Sequence, residues 1–599
     1  IDRVQNIKVS NVPKVTPRNT FLIGGNEYQF TKQARLRPGV YTRLQDNGEI
    51  STFFNVDKTI DFERGFNNNF KINFDPEKKV FTMGYGAKNI PLINVLDAVG
   101  VQKSDMEKMW GKDVYQANFK AYNHKELINQ RKMYEAIFGK QPTADLGPKA
   151  VADAIKERLF ATELDPETTK ITLGKSFSNV NQGSLLTASK KILDVHRGVE
   201  DPDDRDSLLF KSFYGAEDHI KEKLIKNAEK LKSAIKFRLS KTKNINKSLS
   251  TQTFDPFVLG TITTSQLSNP PGQTNLLSIM GESSKITVMG EGGIGSTNQI
   301  SDDSRQISNS EAGFIDPLHT PEGSQIGVSV HHTMRAIKLG NDLYSQFYDT
   351  DGKLKFLKPM DTHAKTIAFP DEYNMVNGNP VPKDDSIRAI KNGSITTVSP
   401  KAVAYIIRDH TGMFDTSTNL IPFLDSLQGN RGLTAAKMKE QALPLKHRDK
   451  PLWRIVDANG NDINKGLGGI IAIPKAPADG IVSKVTDDEI VITEPTGTKH
   501  TVQLYNNFPL NAESFIHNEP KVKIGDRVKG GDILADNNNT RDGEFAIGAN
   551  LRVAYIPWKG YNYEDSTIVS ESAAKKLTSE HLYGFGAKRS SKGVFSREK

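Results

Sequence analysis

Not one of the 599 residues is cysteine. The chain can build no disulfide, thiolate zinc ribbon, iron–sulfur cluster or cysteine nucleophile, so every unit in it must be held by an apolar core of its own. At about 150 residues per domain, the length predicts roughly four such units. Hydrophobic residues make up 36% and charged residues 25%, well away from disordered compositions. No apolar run reaches the ~18 residues of a membrane span. No basic segment followed by an apolar one opens the chain at Ile1, so no signal peptide is predicted and a cytoplasmic protein is expected. Lys and Arg number 80 against 71 Asp and Glu, a net charge of +9. An excess this mild points to a polyanion only where the charges cluster.

Thr20 to Arg43 sets Gly24-Gly25 between short alternating apolar runs, which predicts a tight hairpin. Strand character recurs over Phe70 to Tyr85, and helical spacing over Asn89 to Val99 and Lys125 to Phe138. From Pro148 to Phe160 the apolar positions Val151, Ile155 and Leu159 recur every four residues, predicting a helix, with Pro166 closing the element. Leu185 to His196 reads as another helix, followed by an acidic, turn-rich junction from Glu200 to Asp206. Ala216 to Ser240 predicts one long helix with Ile220, Leu224, Ala228, Leu231, Ile235 and Leu239 on one face. Lys221, Lys223, Lys226, Lys230, Lys232, Lys236 and Arg238 surround the rest, and either a solvated or an anion-facing surface fits that run. Asn269 to Ser310 is rich in Gly, Ser, Asn and Pro, with a strand expected only at Lys285 to Met289; so long a loop is more often functional than idle. Ser399 to Leu445 returns to helical character, and Pro451 to Ser566 is strand-rich with glycine turns.

Several motifs have bland readings. Gly290-Glu291-Gly292-Gly293-Ile294-Gly295 matches the dinucleotide-binding glycine pattern, but the polar stretch after it offers no helix to hold a pyrophosphate, which predicts a flexible glycine loop. Val522 to Asp536 has the turn rhythm of a small carrier-domain hairpin without a lysine tip, so a structural role is expected. The adjacent His331 and His332 face opposite ways in a strand, which argues against a shared metal, and no metal cage is predicted. Glu564 and Asp565 stand apart. They follow an aromatic, glycine-rich turn and the apolar run Val553 to Trp558, read as a core strand, and neighbouring carboxylates there need solvent or a cation close by.

The run GANLRVAYIPWKGYNYEDSTIVSE from Gly548 resembles a signature of the β subunit of bacterial-type multisubunit RNA polymerase. Further segments resemble the same family in the same order: TFLIGGNEYQFTKQARLRPGVY, DPDDRDSLLFKS, SQLSNPPGQTNLLSIMGESSKITVMGEGG, DPLHTPEGSQIG, FLDSLQGNRGLTAAKMKEQALPL and VKIGDRVKGGDILAD. The resemblance implies a multidomain mixed α/β and β-rich fold. Residues 1–45 and 201–264 would be protrusion-like, 46–200 lobe-like, 265–345 the fork, 346–398 an external insert, 399–450 the helical part of fork and core, and 451–599 the start of the hybrid-binding core. It further implies the N-terminal part of β, as in the split β chains of giant bacteriophages. Such a chain is active only with a C-terminal β fragment and β′-type subunits, can take a promoter-specificity factor, and works on a DNA template with RNA product and nucleoside triphosphates.

In that family the reaction is attack of a 3′ hydroxyl on an α-phosphate with two magnesium ions. The resemblance places Arg431, in the Asn430-Arg431 pair, on triphosphate oxygens, and Asp565 with Glu564 near the Mg2+ that arrives with the nucleotide, the principal ligands lying on β′. Gln266, Lys285, Thr287, Arg305, Pro321, Glu322, Gln325, Asn430 and Gln441 fall at positions near nucleic acid. Glu440 stands where the family favours Arg, and Asn269, Gly272, Glu282, Lys285 and Thr287 replace the family's rifamycin-pocket residues, which implies insensitivity to rifampicin. A non-catalytic nucleic-acid-binding scaffold with the same fold is the alternative.

Overall fold

The computed structural model describes residues 6–16, 18–44, 48–56, 69–85, 88–121, 126–143, 146–242, 244–376, 378–468 and 473–583. Lys125, at the start of the expected helix to Phe138, lies outside them. Several cores form, as the absence of cross-links requires.

The first core belongs to residues 39–197. Five antiparallel strands, Gly39–Leu44, Ile50–Asn55, Phe70–Asp75, Val80–Tyr85 and Lys88–Pro91, pair in chain order. Helices follow, among them Leu92–Ala98, Lys103–Trp110, Pro148–Phe160 and Gln182–His196. The four-residue spacing of Val151, Ile155 and Leu159 puts all three in this core beside Phe54, Phe70, Phe81 and Trp110. Trp110 is fully buried and its indole Nε1 donates to Ser189 Oγ at 2.8 Å. Pro166 does not close a helix but opens one, Pro166–Leu173, because Asp165 caps its free amides and a proline fits the first turn. Asn89 to Val99 is likewise divided, ending the sheet before its helix begins at Leu92.

This unit interrupts a second one. Strand Lys32–Leu36 lies between Lys211–Tyr214, antiparallel, and Lys285–Thr287, parallel, and Ser329–His331 completes a four-stranded sheet. Phe21–Ile23 and Asn26–Phe30 form the expected hairpin, turning at Gly24 and Gly25 with φ of 60° and 86°.

The long helix expected from Ala216 to Ser240 is two helices, Ala216–Lys226 and Ala228–Thr242. Asn227 breaks it: its φ/ψ of −109°/12° leaves the helical region, and its amide Nδ2 donates to Lys223 O at 2.8 Å. Of the presumed apolar face only Leu231 is fully buried. The Asn269 to Ser310 stretch also holds more than a strand, since Asn275 and Ser278 form a capping box that starts the helix Leu276–Ser284. The glycine loop after it is built rather than flexible: Gly290 N bonds Ile294 O at 3.1 Å, and the Arg35 guanidinium closes over Gly292. No dinucleotide-type helix follows; Thr297–Gln299 is a single 3-10 turn.

Residues 337–407 make a seven-stranded sheet in which Asp342–Asp349 and Tyr405–Ile407 are neighbours, so part of the Ser399 to Leu445 region is strand. A β-rich module follows. Lys499–Gln503, Glu489–Thr493, Gly480–Val485 and Arg527–Val528 form one sheet over Val482, Ile490, Ile492 and Leu534. The Val522 to Asp536 turns thus supply a sheet edge.

Candidate functional site

Two segments meet at the junction of these cores. One is the loop Asp316 to Gly327, the other the 13-residue helix Gly429–Gln441. Leu318 packs against the small faces of Gly429 and Gly432, where a Cβ would sit 3.6 and 3.2 Å from its methyls. Glu322 accepts a hydrogen bond from Thr434 Oγ1 at 3.2 Å and lies 3.5 Å from Lys437 Nζ. The structure thereby sets Glu322 of the loop against the helix that carries Asn430 and Arg431.

The loop is held from inside. Asp316, buried, accepts from Leu318 N at 2.7 Å, His319 N at 3.1 Å and Asp415 N at 2.8 Å. Arg305 clamps the far end, its guanidinium donating to the carbonyls of Ser324 at 2.8 Å, Ile326 at 3.1 Å and Thr297 at 3.0 Å. Through these bonds it shapes the Gln325 turn. Gly327 has φ of 67° and a Cβ there would meet Arg305 O at 2.3 Å, so no other residue fits the crossing.

Beneath the surface lies an ion network. His319 Nδ1 donates to Asp415 Oδ2 at 2.7 Å, its Nε2 faces Glu440 Oε2 at 3.6 Å, and its ring stacks on His331 with centroids 3.7 Å apart. Burial works against the His319 cation, but Asp415, seconded by Glu440, outweighs it and pushes the pKa up to about 11. Burial would raise Asp415, and the His319 charge instead holds it well below the usual carboxylate range. Burial raises Asp316 and Glu440, and burial beside the His319 cation drives His331 down to about 3. Glu440 also accepts from Ser417 Oγ at 2.8 Å, so it is turned into this network and away from the helix surface. Asp316, His319 and Asp415 offer ligand-type atoms within 4.8 Å of one another, a grouping the sequence reading missed. Hydrogen bonds already engage all three, which makes the cluster a brace between loop and helix. His331 and His332 do face apart: His332 Nδ1 donates to Thr333 O at 3.0 Å.

The other expected site residues are distributed. Asn430 and Arg431 are exposed in the first turn of the helix, whose unpaired amides and dipole favour anions. Arg431 has no ion pair among the described residues. Gln441 is exposed at the opposite end, and Gln266 is exposed between Thr251–Thr264 and Ser268–Asn269. Lys285 is half-buried and faces Glu282 at 3.7 Å. Thr287 is buried with its hydroxyl on Met289 N at 3.2 Å and Ser329 Oγ at 3.3 Å, so its side chain points into the protein.

Val553 to Trp558 is not a core strand. Residues 551–569 carry no regular structure and all but the half-buried Asn562 are exposed, Tyr555 to 97%. Their bonds are local, such as Trp558 N to Asn562 Oδ1 at 2.8 Å, and no strand among the described residues pairs with them. Both ends of the segment are pinned beside the helix, by Leu445 N to Ile547 O at 2.9 Å, Asp449 N to Gly548 O at 2.7 Å and Lys446 N to Thr578 O at 2.9 Å. Glu564, held at φ of 55°, and Asp565 project from it, exposed and without an ion pair among the described residues. No ion pair links them to Arg431. Two such carboxylates suit a hard cation but do not close a site around it.

Residues 272–337 match the family model "RNA polymerase Rpb2, domain 3" and residues 475–593 "RNA polymerase Rpb2, domain 6". Over 97% of its length the chain is 26% identical to the DNA-directed RNA polymerase subunit beta of Prochlorococcus marinus (strain MIT 9215), covering 54% of that protein. The corresponding figures are 24% over 95% of the chain and 52% of the relative for the subunit of Gloeobacter violaceus. For that of Acidiphilium cryptum they are 31% over 54% and 23%. The chain thus has the RNA polymerase β-subunit fold, and it spans about half the length of the first two relatives. No helix among the described residues is long and apolar enough to cross a membrane.

Proposed function

We propose that the chain is the N-terminal part of a β subunit in a DNA-dependent RNA polymerase, and that the loop Asp316 to Gly327 and the helix Gly429–Gln441 line its RNA–DNA hybrid and nucleotide site. The observation that carries this is the packing of Leu318 on Gly429 and Gly432 with Glu322 on Thr434 and Lys437, which sets an unpaired Arg431 at the anion-favouring end of a rigid helix. A planar guanidinium there can hold two triphosphate oxygens at once and keep the α-phosphate in line for attack. Glu322 and Gln325, with the exposed Asn430 and Gln441, would make sequence-blind contacts to sugar and phosphate. Mg2+, mainly held by a β′-type partner, would neutralise phosphate charge as the bond forms. Asp565, beside Glu564, would be a neighbour of the nucleotide-borne ion. The exposed Tyr555, Trp558, Tyr561 and Tyr563 around those acids fit burial against partner chains, a C-terminal β fragment and β′-type subunits.

The test is the assembled polymerase carrying Arg431→Ala or Asp565→Ala. Each should assemble normally and elongate at least ~100-fold more slowly, the scale of losing one preorganised charge at a reacting phosphate. Normal elongation by both would refute the catalytic assignment and leave the non-catalytic scaffold.

A further inference from the structure

The chain's positive charge is unevenly placed. Between Lys226 and Lys247 lie eight Lys and Arg residues and one acid, Glu229, so 22 residues hold +7 of the total +9. A solvated helix face normally interleaves its charges, as Pro148–Phe160 does with Lys149, Asp153, Lys156, Glu157 and Arg158. The helix Ala228–Thr242 does not. Lys232 and Lys236 stand four residues apart and repel, while Glu229 reaches only Lys232, at 3.2 Å.

The inner side of this helix is fixed. Leu231 is buried, and Arg238 donates to Thr253 Oγ1 and Ser250 Oγ at the start of the neighbouring helix Thr251–Thr264. The outer side is free. Lys226, Lys230, Lys236 and Lys241 are exposed with no ion pair among the described residues. None of these residues belongs to the site at Arg431.

We propose that the exposed Lys226, Lys230, Lys232, Lys236, Lys241 and Lys247 form a docking surface for the phosphate backbone of duplex nucleic acid. The 15-residue helix is about 22 Å long, a span over which a duplex presents roughly a dozen phosphates. Lysines are flexible point charges suited to phosphate without base readout. A single strand would call for a platform of stacking aromatics. The surface has one exposed ring, Phe237, and Lys241 Nζ lies over it at 4.5 Å.

The experiment is fluorescence anisotropy of the full chain with a 30-base-pair DNA of arbitrary sequence across a KCl series. The test variant combines Lys230→Gln, Lys232→Gln, Lys236→Gln and Lys241→Gln. A control combines Lys103→Gln, Lys108→Gln, Lys112→Gln and Lys120→Gln, exposed lysines on two helices of the 39–197 unit with the same total charge change. A third variant replaces the first four lysines by Arg. The test variant should flatten the logarithmic salt dependence by about 3.6, so that between 50 and 200 mM KCl the wild type loses about 150-fold more affinity than it does. The control and the Arg variant should keep the wild-type slope. Equal flattening in test and control variants would overturn the proposal, as would tighter binding of a 30-nucleotide single strand or no duplex binding by the wild type. Circular dichroism confirms that each variant is folded. The readout is binding by the chain itself, so its failure is distinct from failure of the elongation test.

Discussion

Replacing His319 by Gln removes the one cation from a group that otherwise consists of Asp316, Asp415, Glu440 and the neutral His331. The side chains of His319 and Asp415 are 5% and 1% exposed and bond at 2.7 Å, so water cannot substitute for the lost charge. Removing one partner of such a buried pair typically costs about 3–5 kcal/mol. The lower end corresponds to roughly 150-fold faster opening of the brace. Native-state hydrogen exchange of amides in 316–327 and 429–441 measures it directly, without the assumption that so many cores unfold together. The pH dependence has a defined sign. The folded pKa of His319 is raised to about 11 from an ordinary 6.5, so its contribution is complete below pH 6.5 and fades as pH rises toward 11. The difference between wild type and His319→Gln should therefore be largest near pH 6 and smaller at pH 9. Glu440→Gln, which leaves the Asp415 bond intact, should cost only about 1 kcal/mol. Exchange in His319→Gln within threefold of wild type at pH 6, or a difference independent of pH, would refute the assignment of His319 as a buried cation.

Arg305→Ala should free the three carbonyls it holds and loosen residues 324–327 by about 2 kcal/mol, read as faster exchange there with the helix Gly429–Gln441 unchanged. Trp110→Ala should destabilise the 39–197 unit by about 3–5 kcal/mol through the cavity it leaves and the lost bond to Ser189, lowering that unit's thermal transition and sparing exchange in the β-rich module.

Local periodicity was readable where one chain segment decides its own environment. Val151, Ile155 and Leu159 point to one core because helical spacing forces them to, and Gly24-Gly25 turns because only that backbone is permissive. The ordered motifs likewise anticipated the family. The His319 brace was not legible, since His319 and Asp415 are 96 positions apart and no short-range pattern encodes their meeting. The same limit applies to Val553–Trp558: an apolar run reports a surface to be covered but not whether its partner is in the same polypeptide. Asn227 shows a subtler failure, in which one side-chain amide bonding the preceding turn divides a helix that apolar spacing predicted as continuous.

The insertion of residues 39–197 between Lys32–Leu36 and Lys211–Tyr214 has a consequence for the order of folding. Leu36 pairs with Lys211 only after the intervening 174 residues have brought their ends together, and Lys32 pairs with Ile286 across a still longer interval. Loop-closure entropy makes such pairings late unless the interval first condenses into a compact body. The inserted unit, with its meander of chain neighbours, can condense early. The mixed sheet beneath the loop Asp316 to Gly327 then assembles after that unit.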